Sequence, residues 1–205
     1  MTIKKFIQSF LAESGEIGRK INQKDVEKII DILFEAWKKG KKVFTMGNGG
    51  SIPEATHFAG DLAKYPTVDG KPRFRALCLN DNAPMISALT NDKGFNAIFL
   101  EQLIPWLEEG DVIVCFSVHG GVGHGEAGPW SQNLGEAVKL AKERKAKVIG
   151  FSGDSGGMLK EEADACIVVP TASRDSITPH VEGYHAILSH LIVHRLLEMV
   201  KTSSV

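Results

Sequence analysis

The sequence predicts an α/β fold, a doubly wound parallel sheet of five strands flanked by helices, with a helical pair ahead of it. Three observations carry this. Five short apolar segments alternate with segments of helical spacing. One of them, Val112-Ile113-Val114-Cys115-Phe116, is apolar throughout, as expected of a buried parallel strand. The first strand runs straight into Gly47-Asn48-Gly49-Gly50-Ser51, and a helix follows at once.

The elements follow in order. Ile3, Phe6, Phe10 and Leu11 recur at helical spacing, with Ile17 and Ile21 beyond. Asn22 is a capping residue for a second helix with Val26, Ile29, Ile30, Leu33 and Trp37 on one face. That helix stops at Lys38-Lys39-Gly40, cations and then glycine. The first helix has few neighbours in sequence to bury it, so residues 1–40 are expected to serve oligomerisation. Strands are expected at Val43–Met46, Ala76–Leu79, Val112–Phe116, Lys147–Phe151 and Cys166–Val169. Helices are expected over Glu54–Tyr65, Pro84–Leu89, Phe95–Leu103, Leu134–Arg144, Met158–Ala163 and Val181–Val200. The glycine-rich stretch Gly120–Pro129 reads as a long loop. Residues 1–205 form one domain, because a chain of this length is within the ordinary range for one.

Composition narrows the function. The chain carries 24 Lys+Arg against 25 Asp+Glu, a formal net charge of −1. A nucleic-acid-binding domain ordinarily shows a basic excess, so no nucleic acid partner is expected. No apolar run approaches the ~18 residues of a membrane span, so no membrane partner is expected either. The start of the chain lacks the apolar stretch of a signal peptide. Cys78, Cys115 and Cys166 form neither a metal-finger spacing nor a disulfide framework. Buried thiols in a reducing compartment follow, and with them a cytoplasmic protein.

The turn Gly47–Ser51 carries the first chemical signal. Glycines let the backbone approach a ligand closely, and a helix N-terminus offers free N–H groups and the positive end of a dipole. Ser51 adds a hydroxyl at the same point. In open α/β sheets ligands collect at the carboxyl ends of the strands. The turn is therefore an anion site, for phosphate above all, or else a tight turn without a ligand. The G-x-G-x-x-G dinucleotide pattern is absent, so no nucleotide cofactor is expected.

Gly47-Asn48-Gly49-Gly50-Ser51, then Ala55-Thr56-His57-Phe58-Ala59, then Thr90-Asn91-Asp92-Lys93-Gly94-Phe95 resemble the phosphoheptose isomerase group of the SIS (sugar isomerase) domain family. The resemblance spans almost the whole chain. It implies a SIS-type five-stranded sheet, a homotetramer with sites at subunit boundaries, and a sugar phosphate substrate. The reaction implied is isomerisation of sedoheptulose 7-phosphate to D-glycero-D-manno-heptose 7-phosphate through an enediol. Phosphate and sugar contacts are implied for Asn48, Gly49, Gly50, Ser51, Asn91, Asp92, Ser117, His119, Ser131 and Glu182.

The chain departs from the family where its second phosphate loop ordinarily reads Ser-Thr-Ser-Gly-Asn-Ser. Here Ser117-Val118-His119-Gly120 stands at the start and Ser131-Gln132-Asn133-Leu134 at the end, with an insertion containing His124, Glu126 and Trp130 between them. A hydroxyl donates one hydrogen bond to phosphate; valine donates none, and histidine is able to.

Family members also pair a His with a Glu four residues on, which here are His57 and Asp61. Residues four apart share a helix face. A Gln and a His eight residues apart on the final helix correspond to Glu182 and His190. The set His57, Asp61, Glu182 and His190 then offers two imidazoles and two carboxylates, a shell suited to one zinc per subunit. By the same resemblance Asp61 is the catalytic base and His190 the acid. Each residue also has an ordinary structural role open to it. His57 fits a hydrogen-bonded helix interior, Asp61 a solvated surface, Glu182 a first helical turn, and His190 a core position among Ile187, Leu188, Leu191 and Ile192. Two other readings stand beside the isomerase. One is a regulator that binds the replication initiator, although such relatives lack the final-helix His matched by His190. The other is a phosphosugar sensor without turnover.

Overall fold

A computed structural model of the chain describes residues 1–121, 131–171 and 173–204. His124, Glu126 and Trp130 lie outside the described residues. Two helices, α1 (Ile3–Lys20) and α2 (Gln23–Lys38), precede the sheet. The strands are β1 (Lys42–Gly47), β2 (Arg75–Cys78), β3 (Val112–Phe116), β4 (Lys147–Gly153) and β5 (Ala165–Val169). The intervening helices are α3 (Ser51–Lys64), α4 (Ala83–Lys93), α5 (Ile98–Leu103), α6 (Gln132–Glu143) and α7 (Gly157–Glu162), and α8 (Ile177–Thr202) follows β5. Short 3-10 turns over Phe95–Ala97 and Arg174–Ser176 lead into α5 and α8.

All strand pairs are parallel, in the order β2-β1-β3-β4-β5. The order reverses between β1 and β3, and a crevice opens outside the carboxyl ends of strands at such a point. Gly47 pairs with Phe116, so Asn48 and Ser117 leave the sheet side by side.

Alternation along the strands splits the core into two layers. Val43, Val114, Phe116, Ile149, Phe151 and Ile167 pack against α2, α3 and α8. Phe44, Met46, Ile113, Cys115 and Val148 face α5, α6 and α7. Cys78 and Cys115 are buried, Cys166 is partly so, and none of the three is in a disulfide. Burial pushes the Cys166 thiol up to about 12 and the Cys115 thiol further still. Among the described residues, no helix is long and apolar enough to cross a membrane.

Helix starts differ most from expectation. α3 begins at Ser51 rather than Glu54, and α8 at Ile177 rather than Val181. Pro53 and Pro179 lie inside the first turn, where a missing N–H breaks no helical bond. α4 runs to Lys93 rather than Leu89 and has no buried residue, so it lacks an apolar stripe to mark its length.

The first helix is anchored in part on its own chain. Ile17 is buried, Phe10 stacks on His180 at 4.1 Å, Ser176 donates to Glu13 Oε1 at 2.7 Å, and Tyr184 donates to the Ser14 carbonyl. Ile3, Phe6, Ile7 and Leu11 remain exposed.

Candidate active site

Asn80 and Asn133 hold the two turns at the strand-order reversal. Asn80 Nδ2 donates to the Gly47 carbonyl and Asn80 Oδ1 accepts from Gly47 N, both at 3.0 Å. The side chain thus continues the β1 ladder like a further strand residue. The Asn48 and buried Asn133 amides face each other, each Nδ2 donating to the other Oδ1 at 2.9 Å. This pair ties the β1 turn to the start of α6 across 85 residues of sequence.

The turn itself closes through Ser51 N to the Asn48 carbonyl at 3.0 Å and Ile52 N to the Gly49 carbonyl at 3.1 Å. Gly49 has a φ of +56°, in the left-handed region that glycine adopts freely. Gly50 is where α8 meets the turn. A Cβ there would lie 2.0 Å from Glu182 Oε1, so the carboxylate of α8 rests directly on the turn. Ser51 is only 2% exposed. Ser131 precedes α6 without a side-chain cap bond.

Farther along α3, His57 and Asp61 meet His190 of α8. His57 Nε2 lies 3.4 Å from Asp61 Oδ2, and His190 Nδ1 lies 3.3 Å from the same oxygen. The imidazoles meet edge to face at 4.8 Å. Both histidine side chains are more than half exposed, which excludes a core role for His190 and an interior one for His57. One ligand atom from each of the three residues falls within 4.8 Å of the others. Two ligands ~2.0–2.1 Å from a tetrahedral ion stand about 3.3 Å apart. The two imidazole–carboxylate separations therefore suit a metal ion. Glu182 is not part of this cluster. Asp61 and His190 line a cavity of about 890 Å³ together with Tyr65, His194 and Arg195.

Glu54 is a site residue the sequence reading missed. It lies in the first turn of α3, three residues before His57 and seven before Asp61, so all three share a helix face. Burial pushes its carboxyl above the ordinary range. His57 and His190 oppose that rise, while Glu182 adds to it. The spacing Glu54, His57, Asp61 was the signal available for it.

Of the other expected residues, Ser117 is buried, and its Oγ accepts from Gly121 N at 3.1 Å. His119 lies 3.8 Å from Asp154. Asn91 and Asp92 are exposed on α4, with Asn91 Nδ2 donating to Asp92 Oδ1 at 3.2 Å. The structure groups His57, Asp61 and His190 at one place and Asn48, Gly50 and Glu182 at another. Among the described residues, no hydrogen bond or ion pair ties Asn91 or Asp92 to either.

Known proteins resemble the chain in sequence and fold. The chain is 41% identical over 186 residues to the lincomycin biosynthesis protein LmbN of Streptomyces lincolnensis. That match covers 91% of the chain and 66% of LmbN, so the chain spans about two thirds of that protein. It is 31% identical over 195 residues to a phosphoheptose isomerase of Clostridium acetobutylicum, with 93% and 92% of the two chains covered. The solved structure of phosphoheptose isomerase from Neisseria gonorrhoeae superposes with a TM-score of 0.79 at 26% identity, covering 95% of this chain and 98% of that one. The SIS domain family model matches residues 9–153, about seven tenths of the sequence, and the chain belongs to the SIS domain family.

Proposed function

We propose that the chain is a sugar-phosphate aldose–ketose isomerase acting on sedoheptulose 7-phosphate. The observation that carries this reading is the triad of His57, Asp61 and His190 on the helix that begins at the glycine turn and on its neighbour α8. Phosphoheptose isomerases among the relatives support the substrate class.

The phosphate sits at Asn48, Gly49, Gly50 and Ser51, with Ser117, His119 and Ser131 closing the far side. Glu182 accepts hydrogen bonds from sugar hydroxyls between the turn and the triad. Asp61 removes a proton from C1 of the open-chain ketose while His190 gives a proton to O2. A cis-enediol results. Asp61, its proton in part exchanged with solvent, then protonates C2 and His190 takes a proton from O1, which leaves the aldose. Carboxylate and imidazole suit this exchange because their proton affinities are tunable toward neutrality. His57, Asp61 and His190 would hold a zinc ion, which would supply polarisation of the substrate oxygens.

Asn91 and Asp92 serve a substrate bound at a subunit boundary. The exposed apolar residues of α1, with Ile187 and Leu191 of α8, supply the contacts of a homotetramer. Three cysteines outside any disulfide fit a reducing cytoplasm.

The test is conversion. Zinc-loaded protein given sedoheptulose 7-phosphate should yield aldoheptose 7-phosphate, read by NMR. Failure with every C5–C7 sugar phosphate tried would leave a binding protein instead.

A further inference from the structure

Asn133 is a buried polar side chain to which the proposed reaction gives no task, and its partner belongs to the glycine turn. It lies in the first turn of α6 and is fully buried. Its carboxamide meets that of Asn48 nitrogen to oxygen in both directions, at 2.9 Å each way. Leu134 N also donates to Asn133 Oδ1 at 2.9 Å, so this oxygen satisfies one of the open N–H groups at the start of α6. A backbone N–H can only donate. It settles which end of the Asn133 amide is oxygen, and the reciprocal pairing then settles the Asn48 amide.

The pair belongs to a seam of neutral amides. On the other flank of the turn, Asn80 bonds both the N–H and the carbonyl of Gly47 at 3.0 Å. Beside Asn133, Gln132 Oε1 accepts from Asn96 Nδ2 at 2.6 Å, which ties α6 to the 3-10 turn ahead of α5. The glycine turn is thus gripped from both sides, while Gly49 and Gly50 have no side chains of their own to hold it. Carboxamides do this without placing a charge beside a bound anion. A carboxylate in place of either amide of the pair would set two oxygens face to face and repel the ligand as well.

We propose that Asn133 is a positioning residue for substrate binding that acts through Asn48, and that the Asn48 side chain is scaffold and not ligand. The inference rests on the reading of the Gly47–Ser51 turn as the anion site. An Asn48 carboxamide held at both its nitrogen and its oxygen must break two hydrogen bonds to swing onto a ligand. The turn therefore meets the anion with its backbone, and the amide pair fixes where that backbone stands. Loss of either amide removes the same clamp. Two residues 85 positions apart then behave as one.

The test is a double-mutant cycle, read as the dissociation constant of folded protein for sedoheptulose 7-phosphate by calorimetry. Asn48→Ala and Asn133→Ala should each weaken binding by about tenfold. The double variant should bind no more weakly than either single one, because the shared clamp is already gone. A loss confined to Asn48→Ala makes that side chain a ligand. A loss confined to Asn133→Ala separates it from Asn48, and losses that multiply in the double variant make two independent contacts. Each of these results overturns the proposal.

A pair that served stability alone would lower unfolding temperatures and leave the affinity of folded protein at the parent value, and that result also overturns the positioning role. Where Asn133→Ala fails to fold, Asn133→Ser takes its place: the hydroxyl still accepts from Leu134 N and is too short to reach Asn48. A crystal structure of parent protein with inorganic phosphate gives a reading free of any variant. The two amides should remain paired beside the bound anion, and an Asn48 carboxamide turned onto the phosphate contradicts the proposal. Folded parent that binds no sugar phosphate overturns the isomerase reading instead, and the positioning role falls with it.

Discussion

The two ends of one sheet treat their charges in opposite ways. At the amino edge, buried Asp111 accepts from Lys42 N at 2.8 Å and Glu108 N at 2.9 Å, and it lies 3.1 Å from Lys42 Nζ. Burial opposes the charge on Lys42, yet Glu108 and Asp111 hold its ammonium above the ordinary value. Asp164, beside the start of β4, accepts from Val148 N at 2.9 Å and Lys147 Nζ at 2.7 Å. Burial works against its charge too, and those partners still hold its carboxyl below the usual range. At the carboxyl edge, Asp61 lies against two imidazoles, and Glu54 feels both of them and Glu182. The carboxyl of Glu54 is pushed up instead. Satisfied charges stabilise a fold, whereas charges held away from full compensation keep reactivity. The amino edge is built for stability and the carboxyl edge for chemistry.

Substitutions at the two edges should therefore separate rate from stability. The largest effect is expected at the carboxyl edge. Asp61→Asn and His190→Gln should each lower turnover by about 10²–10⁴ with unfolding temperatures close to the parent. Equal losses of rate and stability would erase the distinction. At the amino edge, Asp111→Ala leaves Lys42 without its buried partner and should cost about 3 kcal/mol in denaturant unfolding. Its turnover, measured while folded, should match the parent.

A third test lies beneath the chemical edge. His185 of α8 packs edge-on against Phe116 and Phe151, and burial lowers its pKa to about 4. The unfolded chain takes up that proton near pH 6.5 and the folded one only near 4. Its contribution is present above pH 6.5 and is lost as pH falls toward 4, by about 3 kcal/mol. His185→Phe should flatten the stability profile over that interval; an unchanged slope would assign acid sensitivity elsewhere. The smallest effect concerns the turn. Ser51→Ala should weaken sugar phosphate binding by about 1.5–3 kcal/mol, read by calorimetry, with little change in stability.

The legibility of the sequence follows the range of the interactions. Strands announced themselves because each is a short apolar run, and β3 matched its expected bounds. Helix starts were placed late at Glu54 and Val181, whereas α3 and α8 each begin before a proline that a first turn accepts. On the site, His57 and Asp61 became candidates through family resemblance, and their four-residue spacing put them on one helix face. His190 became a candidate only through family resemblance, because its apolar neighbours also suit a core residue. Glu182 was expected beside the triad and instead lies on Gly50, since spacing along α8 does not show which turn of α3 it meets. The Asn48–Asn133 and Asn80–Gly47 pairs are long-range, and nothing local in the sequence marks them.

The central claim is proton transfer through Asp61 at the carboxyl edge. It is tested most directly by running sedoheptulose 7-phosphate isomerisation in deuterated water and locating deuterium by NMR. Aldoheptose 7-phosphate carrying solvent deuterium at C2 with parent protein, and almost none formed by Asp61→Asn in the same time, is the result expected. Conversion undiminished in Asp61→Asn would contradict it.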